Sequence, residues 1–190
     1  MYNHCAAVQI SILFESNCSV SVGRSEPGGP AELTEEAWDR QLNINLKSAY
    51  LTSHHVLPHM EAQGSGAIIN ISSIAGLRYI GKPQVGYSAA KAAAIQMTKT
   101  TAVLYARKGI RINAVVPGLM HTPLVGYLAD KYAKGDLEGT IARRAEQVPM
   151  GRMGDAFDVA HASAFLISDR AKYITGANLV VDGGITCRTP

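Results

Sequence analysis

No apolar stretch in these 190 residues approaches the ~20 that a bilayer-spanning helix needs. The run from Ala6 to Phe14 could pass for the core of a signal peptide, but no Lys or Arg precedes it and Glu15 follows. Cysteine is scarce. Cys5, Cys18 and Cys187 form no close-spaced pair and leave one odd, which excludes a disulfide framework and points to reduced thiols in a cytoplasmic protein. There is no dense basic run either: the net charge of +3 comes from 18 basic against 15 acidic residues, and Arg143-Arg144, soon followed by Glu146, reads as a solvated helix face. Neither nucleic acid nor a membrane surface is an expected partner. Also missing is a glycine-rich phosphate loop between a strand and a helix, since the one Gly-x-Gly, Gly64-Ser65-Gly66, precedes a strand instead of following one.

What is present belongs to an ordinary globular chain. With 47% hydrophobic and 17% charged residues it can bury one full core, and its length suits one domain rather than two. The pattern is regular from Gly28 onward. A helical region over Leu33–Gly64 opens on Thr34 as N-cap, with Glu35 and Glu36 in its first turn, and Pro58 is expected to bend or loosen its last turns. The apolar run Ala67–Ile71 predicts a strand buried on both faces. A loop rich in Gly and Pro leads to an alanine-rich helix over Tyr87–Lys108, closed by Gly109.

Ile110–Val116 predicts a second strand, stopped by Pro117-Gly118. His121–Gln147 reads as two short helices around Gly135, Asp155–Ser168 as a further helix capped by Asp155, and Ala177–Val181 as a last strand. Strands alternating with helices specify a parallel sheet covered on both faces. Residues 1–27 fit this scheme poorly. Val8–Ile12 and Ser19–Val22 are possible strands, but neither is followed by a helix that would make a nucleotide-binding unit. The expected organisation is an atypical segment over 1–27 and an α/β domain over 28–190.

Chemistry concentrates in Tyr87-Ser88-Ala89-Ala90-Lys91 and in the Ser72-Ser73 pair at the end of the first predicted strand. Tyr87 and Lys91 are four apart on a helix and share a face. A free tyrosine has a pKa near ~10 and is a poor acid-base at neutral pH. A cation beside it favours the phenolate and lowers that pKa, and a serine hydroxyl from the strand end could hold a carbonyl oxygen. His55 and His59 are also four apart, but Pro58 lies between them and no third ligand is spaced to join, so no metal site is expected.

Several of these segments, in this order, resemble the short-chain dehydrogenase/reductase family: Asn43-Ile44-Asn45-Leu46, Ile71-Ser72-Ser73, Tyr87 to Lys91, Asn113 to Gly118 with Thr122, and Val181-Asp182-Gly183-Gly184. The resemblance covers Gly28 to Gly184 and implies a doubly wound, Rossmann-like α/β fold that is truncated at its amino end. The family opens with a strand, a Thr-Gly-x-x-x-Gly-x-Gly turn and a helix, and has an Asn-Asn-Ala-Gly-like element where this chain has Ser21-Val22-Gly23. Loss of the early strands implies a half-sheet with an exposed edge.

The resemblance also implies roles. Tyr87 is the general acid in carbonyl reduction. Lys91 lowers its pKa and holds the nicotinamide ribose, Ser73 (Ser72 less so) holds the substrate oxygen, and Asn45 anchors a water in the proton path. Tyr87, Lys91, Pro117, Gly118 and Thr122 form the cofactor end of the site, and the cofactor is NAD or NADP. The expected activity is hydride transfer between NAD(P) and an alcohol/ketone, with a small-molecule substrate met by the segment Leu119–Met150, in a homo-oligomer paired through the helices around Leu46 and Ile95. Two alternatives stand beside it. One is a catalytically inactive truncated remnant that acts as an oligomerisation partner, or a mis-predicted gene fragment. The other is a Tyr/Lys-dependent epimerase or dehydratase, disfavoured by the Val-Asp-Gly-Gly ending.

Overall fold

The computed structural model describes residues 9–12, 17–21 and 23–189, with side-chain surroundings for all of these except 9–12, 20, 21, 127, 131 and 132. Cys5, the ends of the Ala6–Phe14 run, Val22, and the side chains of Tyr127 and Tyr132 in the expected substrate segment lie outside this description. Five strands form the main sheet: β1 (Gln9–Ile12), β2 (Asn17–Ser21), β3 (Gly66–Ile71), β4 (Ile110–Pro117) and β7 (Asn178–Val181), in the order β1-β2-β3-β4-β7. β2, β3, β4 and β7 are mutually parallel, with Val20 opposite Asn70, Asn70 opposite Ala114 and Ala114 opposite Asn178. β3 and β4 are buried along nearly their whole length, as their unbroken apolar runs require.

The sheet is an α/β parallel sheet with flanking helices, with one departure at its edge. β1 pairs antiparallel with β2. Only four residues separate the two strands, and a parallel crossover needs a dozen or more, so a hairpin is what this spacing allows. The atypical amino-terminal segment therefore supplies a strand of the parallel sheet as well as its edge. Cys18 of β2 is 1% exposed and packs with Leu57, Met60, Ile68 and Ile112.

The first helical region begins as expected, with the Thr34 hydroxyl accepting from the Ala37 amide at 3.2 Å. It is not one continuous α-helix. α1 (Glu35–Leu42) passes into a π-helical turn at Asn43–Lys47 before α2 (Ser48–Gln63), which runs through Pro58 without a break and ends on left-handed Gly64 (φ 70°). α3 (Val85–Tyr105) starts two residues before Tyr87 and finishes in a 3₁₀ turn at Ala106–Lys108, closed by Gly109. Beyond β4 come β5 (Met120–His121), α4 (Pro123–Tyr132), α5 (Leu137–Glu146), β6 (Gly154–Asp155) and α6 (Ala156–Ile167), with β5 and β6 forming a separate two-stranded ribbon. Asp155 caps α6 in a capping box with Asp158, and Gly135 (φ 84°) separates α4 from α5.

Candidate active site

All four parallel strands end on the same side of the sheet, and the chemistry-bearing residues cluster there. Ser72 and Ser73 follow β3 directly, Pro117 closes β4, and Asp182 follows β7. α3 crosses this edge with Tyr87 and Lys91 on one face. The Tyr87 and Ser73 hydroxyls share a hydrogen bond. Ser73 is held in turn by the Ala75 amide, which donates to its Oγ at 3.2 Å. The neighbouring serine is committed elsewhere: the buried Ser72 Oγ donates to the Lys91 carbonyl at 2.8 Å, tying the strand end to α3.

Lys91 is 2% exposed, and its Nζ donates to the Ile71 carbonyl at 2.9 Å while lying 5.8 Å from the centroid of the Tyr87 ring. Desolvation pulls its pKa down to about 8, because a buried ammonium is penalised. The Tyr87 phenol is pushed above its ordinary range by burial, which outweighs the opposing hydrogen bond from Ser73. Burial thus acts against the lowering that the sequence leads one to expect from Lys91.

Asn45 sits in the π turn, 2% exposed. Its carboxamide is fully engaged. Nδ2 donates to the Arg24 carbonyl at 2.8 Å and the Gln41 carbonyl at 2.9 Å, and Oδ1 accepts from the Arg24 amide at 3.0 Å. The side chain thus mimics a strand partner for Arg24 and pins the segment after β2. A Cβ built on Gly23 would lie 4.0 Å from both Asn45 Oδ1 and Tyr87 Oη, so Gly23 stands between them. The widened turn and the Arg24 clamp were not visible in the sequence, because the pattern around Asn45 is ordinary helix. π turns of this kind recur at functional sites.

The expected cofactor residues lie at the same edge. Gly118 has no room for a side chain: a Cβ there would meet Cβ of Asp182 at 2.6 Å, and its amide donates to the Val181 carbonyl at 2.9 Å. Thr122 is the N-cap of α4 in position, yet its side chain makes no capping bond. Asp182 forms a turn, accepting from the Gly184 amide at 2.8 Å and the Thr186 amide at 2.7 Å. His55 and His59 are exposed on α2, and no cluster of three metal-ligating side chains exists among the described residues. Ile95, one of the two expected pairing positions, is buried against Ile74 and Val116. The large apolar residues exposed on α2 and α3 are Tyr50, Leu51, Val103 and Leu104.

Gly76 sets the distance between Ser73 and α3. A Cβ there would fall 2.7 Å from the Ala92 amide nitrogen and the Lys91 carbonyl carbon, both backbone atoms with nowhere to go. Gly76→Ala is expected to cost about 2 kcal/mol through overpacking, a fall in melting temperature of roughly 4–8 °C. A melting curve unchanged from wild type would contradict this close approach.

Comparison with known proteins converges on one family. Residues 17–186 match the family model described as Enoyl-(Acyl carrier protein) reductase. A cis-4-hydroxycyclohexanecarboxylate dehydrogenase of Sinomonas cyclohexanicum is 45% identical over 168 residues, covering 87% of this chain and 64% of the relative. The crystal structure of a short-chain dehydrogenase/reductase from Burkholderia xenovorans superposes with a TM-score of 0.87 at 47% identity, over 92% of this chain and 66% of that one. L-sorbose reductase from Gluconobacter frateurii, complexed with NADPH and L-sorbose, superposes with a TM-score of 0.86 at 28% identity, over 92% and 67%. The chain spans less than two thirds of the length of its curated relatives. No helix among the described residues is long and apolar enough to cross a membrane.

Proposed function

Since the chain belongs to the short-chain dehydrogenase/reductase family, we propose that it carries an oxidoreductase site that moves a hydride between NAD(P) and a small alcohol or ketone. The observation that carries this reading is the hydrogen-bonded Ser73–Tyr87 pair with the Lys91 ammonium beside it. Two hydroxyls already within hydrogen-bond reach of each other can both meet one carbonyl oxygen.

The residues at the strand ends suit the nicotinamide half of a dinucleotide. The bare Gly118 backbone, the Thr122 hydroxyl with no capping bond and the Lys91 ammonium would hold it, with Pro117 closing the strand beside them. A glycine-rich strand-to-helix turn for the pyrophosphate is not among the described residues. When bound, the nicotinamide supplies or accepts the hydride. In the reducing direction Ser73 donates a hydrogen bond to the carbonyl oxygen, and the Tyr87 hydroxyl gives that oxygen its proton. In the oxidising direction the Tyr87 phenolate takes the alcohol proton. Lys91 offsets the phenolate charge, and Asn45 keeps the Arg24 segment closed over the tyrosine. The raised Tyr87 pKa keeps the phenol protonated at neutral pH, the form that carbonyl reduction needs.

For the substrate, the name of the Sinomonas relative points to a ring-borne secondary alcohol. Leu119, Met120 and Leu124 in the segment after Gly118 offer it an apolar wall, while Val125 is buried behind them. Self-association through Tyr50, Leu51, Val103 and Leu104 belongs to the same proposal.

Binding of NADH and NADPH, followed by nicotinamide fluorescence, tests the cofactor half. A dissociation constant in the roughly millimolar range, about 4 kcal/mol of affinity, is expected for this chain. A folded chain that binds neither would remove the enzyme reading and favour the second one, a non-catalytic partner. The antiparallel β1, standing beside β2 with no glycine-rich turn after it, is the observation on that side.

A further inference from the structure

Gln41, one helical turn before Asn45, is 0% exposed and wedged between α1 and α3. Its side chain packs against the residue that precedes Tyr87: a Cβ added to Gly86 would meet Gln41 Cγ at 3.1 Å and Cβ at 3.2 Å. Its backbone carbonyl takes one of the two Asn45 Nδ2 bonds. Its own carboxamide is poorly satisfied. Nε2 has no hydrogen-bond partner, and Oε1 lies 3.5 Å from an Asn45 Nδ2 whose two hydrogens are already given to carbonyls.

A desolvated amide donor without an acceptor is destabilising, and a Leu or Met of similar volume would avoid it. Orphaned buried groups of this sort are commonly met by an ordered water with two to four polar partners. The polar atoms gathered at this place are the Gln41 Oε1 and Nε2, its backbone carbonyl and the Asn45 carboxamide within the π turn.

Resting on the catalytic reading above, we infer that Gln41 is a positioning residue whose carboxamide holds one buried water beside Asn45 and thereby fixes the π turn and the start of α3 that together set Tyr87. Gln41 touches neither Tyr87 Oη nor the substrate side of the site. It acts on the tyrosine through Gly86 and through the Asn45–Arg24 clamp. The expected ligand is water alone, since nothing larger fits a helix–helix contact where Gly86 already crowds Gln41.

The test has two readouts that do not require turnover. A high-resolution crystal structure of the wild-type chain is expected to hold an ordered water within hydrogen-bond distance of Gln41 Nε2, lost in Gln41→Leu. Its absence from wild type would overturn the proposal. NMR titration of ¹³Cζ-labelled tyrosine, with the Tyr87 signal assigned through Tyr87→Phe, is expected to move the Tyr87 midpoint by at least about half a unit in Gln41→Leu. A midpoint unchanged in a folded variant shows a core residue only, and ends the positioning role. Where the wild type turns over, kcat for Gln41→Leu should fall about tenfold with cofactor affinity unchanged, and equal kcat again overturns the inference. A wild type that binds cofactor without turnover sinks the catalytic reading instead, and leaves Gln41 to be decided by the density and the titration.

Discussion

Tyr87→Phe is expected to reduce alcohol or ketone turnover by roughly 10²–10⁴-fold, the range for loss of a positioned general acid, while the chain melts within about 4 °C of wild type. The ring keeps its packing on α3, and only the hydroxyl that meets Ser73 is lost. That hydrogen bond is worth about 1 kcal/mol, which sets the size of the thermal shift. Cofactor affinity should hardly change, because the phenol is proposed to hold the substrate oxygen and its proton. The measurement is kcat/KM for a cyclic secondary alcohol with NAD(P), alongside a melting curve. Turnover within threefold of wild type would mean that Tyr87 is not the acid. A collapse in both turnover and melting temperature would mean that its hydroxyl is structural.

Lys91→Met is expected to remove activity and stabilise the fold together. The folded-state pKa of Lys91, about 8, lies below its ordinary value of 10.5. The unfolded chain therefore binds the extra proton more tightly, and stability rises with pH between about 8 and 10.5. Below pH 8 Lys91 is charged in both the folded and the unfolded chain, and the full penalty applies. Each unit of pKa is about 1.4 kcal/mol, so the 2.5 units correspond to about 3 kcal/mol at neutral pH. Losing the hydrogen bond to the Ile71 carbonyl gives back about 1 kcal/mol. A net gain of about 2 kcal/mol follows for Lys91→Met at pH 7, a melting temperature higher by roughly 4–8 °C. The wild type should also gain stability from pH 8 to 10 more steeply than the variant. A variant that melts lower at pH 7, or parallel pH profiles, would refute the buried-ammonium account. Sites whose function costs stability show this trade.

Much of the architecture was legible because its signals are local. The apolar runs at Ala67–Ile71 and Ile110–Val116 reach the centre of the sheet, where both faces are covered. Thr34, Asp155, Gly64 and Gly109 cap helices where their side chains or conformational freedom predict. Ser73, Tyr87 and Lys91 come together because a helix period of about four places the last two on one face and a strand end delivers the first.

By itself the sequence determined the long strands and helices from Leu33 to Val181, and that Tyr87 and Lys91 share a face. Only the tertiary structure decided the rest. It chose an antiparallel partner for β2, since a four-residue link permits a hairpin but does not say which strand the hairpin joins. It opened the helix at Asn43–Lys47 so that Asn45 could bond the Arg24 backbone, a pairing 21 residues apart that no local pattern announces. It also reversed the expected direction of the Tyr87 pKa. Spacing along a helix gives the distance between two charges, but how much water surrounds them depends on what the remainder of the chain packs on top, and at Tyr87 burial outweighs the Ser73 hydrogen bond.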